Sequence, residues 1–374
     1  MHPHVCLITD SLEPSGVGRH MLTLARALRR THRVSLVCPP SAEGDRLLAR
    51  AAAAGINAAA ITVRAAWDEQ PFAEWMRSND VGLLHVHAGV GWEGHHAVYT
   101  GPLAGIPVIR TEHLPYVITD DKQRGEHAAV AARCARIICV SRAARDSYAA
   151  AGFPPRVLRV VHNGIARPRP PRRSADEMRA ELDLPADARI LLTVARFTEQ
   201  KGHAHLMDAV PAIMAAEPRA RFVWVGDGPL RASMEESARR MGISDAVRIT
   251  GSRDDVPELM GAAELCILPS LFEGLPLVAL EAMAAGVPVI GTDVCGTAEA
   301  VREGRTGRLV PAGDASALAR AIGGALADPA ALARWSRAGR ARVRGRFTAE
   351  RMAARTAIIY RAALAEHAPL AGRA

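Results

Sequence analysis

Two glutamates frame a glycine-proline turn and the apolar helix that follows it. Glu273 lies in the turn, and Glu281 lies eight residues later on a helix made otherwise of apolar and small residues. Pro276 is expected at the first position of this helix, and Gly286 marks its end. The unpaired amides and the dipole at a helix start favour an anion. An anion flanked by two carboxylates that accept hydroxyl protons describes a site for a sugar nucleotide.

A helix cap and a surface acid are the plainer interpretation of the two glutamates. However, an acid on an otherwise uncharged helix is costly unless something satisfies it. We therefore favour the functional interpretation of Glu273 and Glu281.

Two cations follow the first predicted strand of the second half. Arg196 and Lys201 are five residues apart around a turn. They can converge on one anion, because arginine offers a planar fork and lysine a compact point charge. Lys201 and Lys122 are the only lysines in the sequence, every other basic residue being arginine, which favours a role that requires lysine. Two solvated loop cations are the alternative.

These motifs resemble those of the retaining glycosyltransferases of family four. Glu273 and Glu281 match the E-x7-E signature, and Arg196 and Lys201 match R-x4-K. The resemblance covers nearly the whole chain and implies a nucleoside-diphosphate sugar as donor. It implies that the two cations bind the diphosphate, that Glu281 holds the ribose and that Glu273 holds donor-sugar hydroxyls. Backbone amides join the diphosphate site near Gly274, Leu275 and Leu277.

Further turns match the same family. Gly16 opens the first helix in a glycine-rich loop that, by the resemblance, approaches the donor phosphate and the acceptor. His113 matches the family histidine that meets the donor sugar, and Arg253 matches a residue that contacts the base largely through its backbone. Cys295 departs from the small residue expected before Thr297, so the donor-sugar contacts of that loop are not carried over.

The resemblance implies retention of configuration without a side-chain nucleophile. The acceptor hydroxyl attacks from the face on which the diphosphate departs, and a diphosphate oxygen takes the proton. The protein then contributes positioning and electrostatic stabilisation. A nucleotide-sugar epimerase or a phosphorylase on the same architecture is one alternative, and a non-catalytic sugar-nucleotide-binding subunit is another.

Four histidines at strand and helix ends raise the question of a metal: His85, His87, His95 and His96. Their spacing is not a known ligand pattern. The chain also lacks the D-x-D motif of the metal-dependent glycosyltransferase fold, and family four needs no bound metal. We therefore predict no metal and no cofactor other than the donor substrate.

Short apolar runs alternate with helical patterns in both halves, seven strands before the proline-rich stretch near residue 170 and six after it. Such alternation predicts parallel sheets covered by helices on both faces. We predict an α/β protein of the GT-B fold, with two Rossmann-like doubly wound domains facing each other across a cleft and the C-terminal helix crossing back. The domains are residues 1–165 with 349–374, on the acceptor side, and 188–348, which bind the nucleotide sugar. Residues 166–187 form a linker.

Net charge and aromatic content limit the classes of ligand that the protein is expected to bind. The 374 residues carry a formal net charge of +8, which suits phosphorylated ligands or an anionic membrane surface. Nucleic acid is disfavoured, since aromatic residues are scarce and no basic stripe is interleaved with them. The start of the chain shows no signal pattern, so we expect a cytoplasmic protein with peripheral membrane contact as an option. An acidic set in the first half favours a neutral or amino-bearing polar acceptor: Glu13, Glu93, Glu112, Asp120 and Asp121.

Overall fold

The chain forms two compact units in a computed structural model that describes residues 3–89 and 93–367. The first unit is Met1–Ala166 with Phe347–Ala374, and the second is Arg167–Arg346. Most of the predicted linker therefore belongs to the second unit. Its helix, Ala175–Glu181 (α7), packs there against the helix Val256–Ala262 (α10).

The first unit contains a parallel sheet of seven strands in the order β3-β2-β1-β4-β5-β6-β7. The strands β2 and β3 lie on one side of β1, and the strands from β4 onward lie on its other side. The strand order therefore switches between β1 and β4, and ligands of such sheets bind beyond the carboxyl ends of the strands at this switch point. The strands are β1 (His4–Ile8), β2 (Arg33–Cys38), β3 (Asn57–Ala60), β4 (Leu83–Ala88), β5 (Val108–Glu112), β6 (Arg136–Cys139) and β7 (Leu158–Val160).

Seven helices cover the two faces of this sheet within the described residues. Successive side chains of a strand point to opposite faces. Val5 and Leu7 accordingly join the core that contains α1 and α15, whereas Cys6 and Ile8 join the core on the other face. The helices are α1 (Ser15–Leu28), α2 (Ala42–Ala53), α3 (Ala66–Ser78), α4 (His95–Ala104), α5 (Asp121–Ala131), α6 (Arg142–Ala150) and α15 (Ala349–His367).

The last helix returns to the first unit, as predicted. It packs against α1, and the fully buried Tyr360 anchors it. Ile165 forms an isolated parallel bridge with Thr348 just before the helix. A Cβ atom at Gly164 would lie 2.2 Å from the Thr348 carbonyl oxygen, so this return depends on a glycine.

The second unit contains a parallel sheet of six strands in the order β10-β9-β8-β11-β12-β13. The core on one face of this sheet contains large side chains such as Phe222 and Trp224, which are fully buried. The strands are β8 (Arg189–Val194), β9 (Ala220–Val225), β10 (Val247–Gly251), β11 (Ala263–Leu268), β12 (Val289–Thr292) and β13 (Gly307–Val310).

The helices of this unit are α7 (Ala175–Glu181), α8 (His203–Ala216), α9 (Arg231–Arg240), α10 (Val256–Ala262), α11 (Leu277–Ala285), α12 (Cys295–Ala300), α13 (Ala315–Leu326) and α14 (Pro329–Arg346). A short 3₁₀ turn occupies Glu199–Lys201. Within the described part of the chain, no helix combines the length and the apolar character needed to cross a membrane.

Candidate active site

Lys201 and Glu273 meet at the carboxyl ends of β8 and β11, which are neighbours in the second sheet. The Lys201 ammonium lies 2.6 Å from Oε1 of Glu273. The hydroxyl of Ser270 donates to the same carboxylate oxygen at 2.8 Å. Glu273 is 6% exposed, so its charge is held by these two donors rather than by water. The two predicted site residues therefore form one charged pair.

The turns that carry this pair are locked together by backbone contacts. The amide of Leu271 donates to the carbonyl of Gln200 at 2.7 Å, and the Gln200 side chain donates to the carbonyl of Phe272 at 3.0 Å. Gly202 has φ +65°, and a Cβ there would lie 2.0 Å from the carbonyl oxygen of Pro269. A glycine is therefore required for the close approach of the two turns.

The helix that follows Glu273 begins one residue later than its proline suggested. Pro276 is the N-cap residue of α11, and Leu277 is its first residue. Pro276 has no amide hydrogen, so the turn presents only the other amides of the predicted diphosphate site. Gly286 ends the helix at φ 91°, as predicted.

The turn around Gly274 and Leu275 packs against the start of α12. A Cβ at Gly296 would lie 1.6 Å from the carbonyl oxygen of Gly274, so the two turns touch through their backbones. Leu275 is buried. The role of these amides and of Leu277 toward a diphosphate stays a prediction.

Glu281 lies two turns into α11 and is half-buried. Burial and, second to it, the charge of Glu281 raise the pKa of the Cys266 thiol on β11 to about 12. The carboxylate thus lies on the side of α11 that faces the sheet. Its binding of a ribose stays a prediction.

Arg196 follows β8 on an exposed turn. The backbone of this turn is fixed by the second glycine-rich loop, because the amide of Phe197 donates to the carbonyl of Asp227 at 2.9 Å. A Cβ at Gly226 would lie 2.0 Å from the carbonyl oxygen of Ala195. Convergence of Arg196 and Lys201 on one anion stays a prediction.

The guanidinium of Arg253 is engaged by two acids. Its Nε lies 2.7 Å from Oδ1 of Asp255, and one Nη lies 2.5 Å from Oε1 of Glu181 on α7. These charge-assisted bonds raise the pKa of Arg253 above its ordinary value, with Asp255 as the first cause. The Arg253 side chain therefore connects α7, which lies in the predicted linker, to the loop after β10. The role of its backbone toward a base stays a prediction.

Three histidines gather in the first unit at the carboxyl ends of its central strands. Nδ1 of His87, on β4, lies 3.2 Å from Nε2 of His113, which follows β5. The ring of His20, from α1, packs edge-on against His113 with centroids 4.6 Å apart. Burial lowers the pKa of His20 to about 4 and that of His87 and His113 well below the ordinary range. His113 is half-buried, whereas the other two are buried.

The four histidines that the sequence suggested as possible metal ligands do not form a single cluster. His85 bonds the Tyr360 hydroxyl at 2.6 Å and the Thr111 hydroxyl at 2.7 Å. His96 pairs with Glu69 at 2.7 Å, and His95 stacks on another ring. Of the four, only His87 belongs to the three-histidine cluster. Sequence reasoning missed His20, because a histidine on the apolar side of a helix reads as a core residue.

The prediction that Glu112 binds the acceptor is wrong. Glu112 is 2% exposed, and its Oε1 accepts from Nε of Arg110 at 2.5 Å and from His127 at 3.1 Å. Arg110 is fully buried. The carboxylate therefore neutralises a buried guanidinium.

Two other acids of that set also have structural tasks. Asp120 caps α5 by accepting from the amide of Gln123, and Asp121 pairs with Arg124 on the surface. Asp120 and Asp121 therefore give no support to an acidic acceptor face.

Gly16 lies in the first turn of α1, which begins at Ser15. A Cβ at Gly16 would meet nothing within 4 Å among the described atoms. Chain packing therefore does not explain the glycine, whereas at Gly18 a Cβ would lie 2.9 Å from the Leu47 side chain. A loop whose backbone approaches a ligand needs open space of this kind beside its glycine.

Comparison with known proteins decides the family. Residues 174–342 match the family described as "Glycosyl transferases group 1", and residues 14–167 match "Glycosyltransferase Family 4". A D-inositol 3-phosphate glycosyltransferase of Streptomyces scabiei is 31% identical over 318 residues, which span 78% of this chain and 70% of that protein. The chain belongs to the family-four glycosyltransferases. Each half of its fold thus carries one of the two family regions.

Other relatives match over shorter stretches. The lipopolysaccharide core biosynthesis glycosyltransferase LpsE of Rhizobium meliloti is 35% identical over 173 residues, 46% of this chain. That match spans about half, 49%, of the relative's length, as does the match to the D-inositol 3-phosphate glycosyltransferase of Streptomyces bingchenggensis, also at 49%.

Solved structures share the whole architecture. Anabaena HepE, in a complex with UDP and glucose, superposes with a TM-score of 0.83 at 20% identity, covering 96% of this chain and 100% of HepE. The sucrose-phosphate synthase of Thermosynechococcus elongatus superposes with a TM-score of 0.77 at 24% identity, covering 97% of this chain and 100% of that chain. The two Rossmann-like units of this chain therefore have the GT-B fold.

Proposed function

We propose that this glycosyltransferase moves a sugar, with retention of configuration, from a UDP-linked donor to a hydroxyl of a polar acceptor. The acceptor class is a small molecule, a glycan or a lipid-linked sugar. Uridine is proposed because the HepE structure holds UDP. Family membership alone does not give the UDP donor, the retention of configuration or the independence of metal, so these three properties are proposed.

The observation that carries the proposal is the pair of Lys201 and Glu273, 2.6 Å apart at two adjacent strand ends. A cation and a carboxylate beside the start of α11 match the diphosphate and the sugar of a nucleoside-diphosphate sugar. The ammonium and the helix amides suit the diphosphate, and the carboxylate suits sugar hydroxyls. A charged pair of this kind, 8% exposed at the carboxylate side chain, is costly to build for stability alone.

The chemistry follows from positioning and electrostatics. As the donor bond breaks, negative charge develops on the leaving diphosphate, and Lys201 with Arg196 stabilises it. The acceptor hydroxyl forms the new bond on the same face, and its proton passes to a diphosphate oxygen. Because the cations and helix amides supply positive charge, the step needs no metal at the diphosphate.

The test is a panel of UDP-, GDP- and ADP-sugars examined by thermal shift, since a ligand that binds only the folded state raises the melting temperature. UDP-sugars should stabilise the protein, and the anomeric configuration of the product, read by NMR, should match the donor. Free nucleotide with an altered sugar and no acceptor dependence would favour an epimerase. Inversion at the anomeric carbon would contradict the proposed mechanism.

A further inference from the structure

Helices α1 and α15 pack against each other in the first unit. Their inner sides share one buried core, so their outer sides form one surface. Ile358 of α15 is 58% exposed on that surface. Exposed arginines surround it and define a basic face: Arg19, Arg26, Arg30, Arg351, Arg355 and Arg361. We propose that this basic face binds an anionic phospholipid surface.

Helical spacing places these side chains together. Residues three, four or seven positions apart lie on the same side of a helix. On α1, Arg26 follows Arg19 by seven positions. On α15, Ile358 lies three positions after Arg355 and three before Arg361. The outer side of α15 is therefore both basic and apolar, while its inner side is buried in the core.

The positive charge of this face is not balanced within its own helices. On α9, by contrast, Arg231 pairs with Glu235 and Arg239 pairs with Glu236. Residues 15–30 contain four arginines and no acid, and α15 contains three arginines and two glutamates. Basic residues near a membrane surface are attracted by the negative potential of anionic lipids. The excess of arginine thus complements such a surface.

The exposed isoleucine favours lipid over other polyanions. At a bilayer interface the arginines meet lipid phosphates, and an aliphatic side chain enters the head-group region. A face that binds single-stranded nucleic acid would offer aromatic side chains for stacking, but the tyrosine of these two helices, Tyr360, is fully buried.

Helix α14 offers a comparison of similar charge. It contains six arginines and no acid, but none of its described residues is an exposed large hydrophobic side chain. Charge alone would therefore give both regions the same affinity for an anionic bilayer, whereas the proposal assigns binding to the face that contains Ile358.

The experiment is co-sedimentation of the full chain, without a tag, with vesicles of phosphatidylcholine alone or mixed with phosphatidylglycerol. We expect binding to the mixed vesicles that weakens as salt is added, because salt screens exposed charges. Equal binding to both vesicle types, or none to either, would overturn the proposal. Binding of single-stranded DNA without binding to the mixed vesicles would overturn it in favour of a nucleic-acid face. The assay needs no sugar donor, so failure of the proposed function would not affect it.

Matched variants connect binding to these residues. Arg355→Glu combined with Arg361→Glu should lower the partition coefficient at least tenfold, since each basic residue near an anionic surface contributes about fivefold. The control is Arg337→Glu combined with Arg344→Glu, the same charge change at two exposed positions of α14, which should partition like the unchanged chain. Equal losses in the two double variants would show that net charge determines binding and would contradict the proposal.

Ile358→Ser tests the apolar contribution. It should lower the partition coefficient several-fold at low and at high salt alike, because it removes no charge. Unchanged partition in this variant would contradict the role of the isoleucine. Circular dichroism checks that each variant is folded. If the α15 double variant does not fold, Arg26→Glu combined with Arg30→Glu provides the same test from the neighbouring helix.

Discussion

A lysine whose charge is opposed by a buried carboxylate can exchange partners when a diphosphate arrives. Lys201 is held by Glu273, and both are required by the proposed donor site. In the bound state the ammonium would turn to phosphate oxygens, and the carboxylate would turn to sugar hydroxyls. The pair therefore keeps two charges oriented at low exposure without a separate structural partner for each.

Lys201→Ala and Arg196→Ala should each weaken donor turnover strongly. Loss of one charged partner of a phosphate costs about 2–5 kcal/mol, measured as kcat/KM for the donor. Arg196 is exposed, so its variant should keep the melting temperature. The control is Lys122→Ala, which removes the other lysine, a side chain 86% exposed on α5. Near-normal turnover by both site variants would rule out the diphosphate assignment.

Glu112→Gln should destabilise the fold rather than raise the KM for an acceptor. Removing one partner of a buried ion pair typically costs about 3–5 kcal/mol, because the other charge is left uncompensated. Arg110 is that charge. Chemical denaturation measures the loss of unfolding free energy.

The matched control for Glu112→Gln is Asp121→Asn. Asp121 pairs with Arg124 at 3.0 Å on the surface, with 93% of its own side chain exposed. Such pairs contribute less than about 1 kcal/mol. Equal stability of the two variants would mean that Arg110 does not depend on Glu112.

At the scale of elements, the turns of the proposed donor site are built from backbone contacts that admit no side chain. Gly202, Gly226 and Gly296 each face a carbonyl oxygen at 2.0 Å or less from an added Cβ. These contacts join the turns after β8, β9, β11 and β12 into one layer. The site therefore depends on loop packing as much as on its charged residues.

Gly296→Ala should disturb this layer and weaken donor binding. The added methyl would lie 1.6 Å from the Gly274 carbonyl oxygen, so the turn before α11 must shift, at a cost of about 1–3 kcal/mol or more. Calorimetric titration with UDP measures the loss of affinity, and denaturation measures the loss of stability.

Gly324→Ala is the matched control for Gly296→Ala. Gly324 lies in α13, and a Cβ there meets nothing within 4 Å. Alanine in a helix is favoured over glycine by about 0.5–1 kcal/mol, so this variant should be slightly more stable and bind UDP normally. Normal UDP affinity in Gly296→Ala would show that the layer does not support the donor site.

The elements themselves could be predicted because parallel strands buried on both faces are continuous apolar runs. The thirteen predicted strands, seven before the proline-rich stretch and six after it, all form within the described residues. The least sharply bounded apolar run is that of β3, Asn57–Ala60. That strand is alanine-rich, so its apolar run has no sharp end. The turns were recognised from their glycines and prolines.

The pairings within the site could not be predicted. Lys201 and Glu273 are 72 residues apart, and no local pattern couples two turns on neighbouring strands. Glu112 was misread because a charged residue at a strand end resembles a binding residue. Its partner Arg110 was visible only two residues earlier, and that spacing on a strand, which places both side chains on one face, is the signal that was missed.

At the scale of the whole molecule, activity should survive exhaustive chelation. The proposed donor site contains cations and helix amides, which would supply the positive charge that a metal supplies elsewhere. The measurement is sugar transfer after dialysis against a chelator, with and without added Mg²⁺ or Mn²⁺. Loss of transfer that either ion restores would contradict metal-independent chemistry.

The whole molecule should also lose stability in mild acid, because both units contain histidines that are neutral when folded. Burial, with Arg110 as the next cause, lowers the pKa of His95 and His127 to about 4. Burial, with Lys201 as the next cause, lowers the pKa of His203 to about 4. The unfolded chain takes up these protons at an ordinary pKa of about 6.5.

Between these two pKa values the unfolded state binds more protons, so the free energy of unfolding must fall as the pH falls from about 6.5 to about 4. Urea denaturation at a series of pH values measures the slope. His203 stacks on Phe197 with centroids 4.3 Å apart, and neither ring nitrogen has a hydrogen-bond partner among the described residues. His203→Phe should therefore keep the packing, remove one titrating group and make the slope shallower. An unchanged slope in that variant would show that His203 does not contribute to the acid sensitivity.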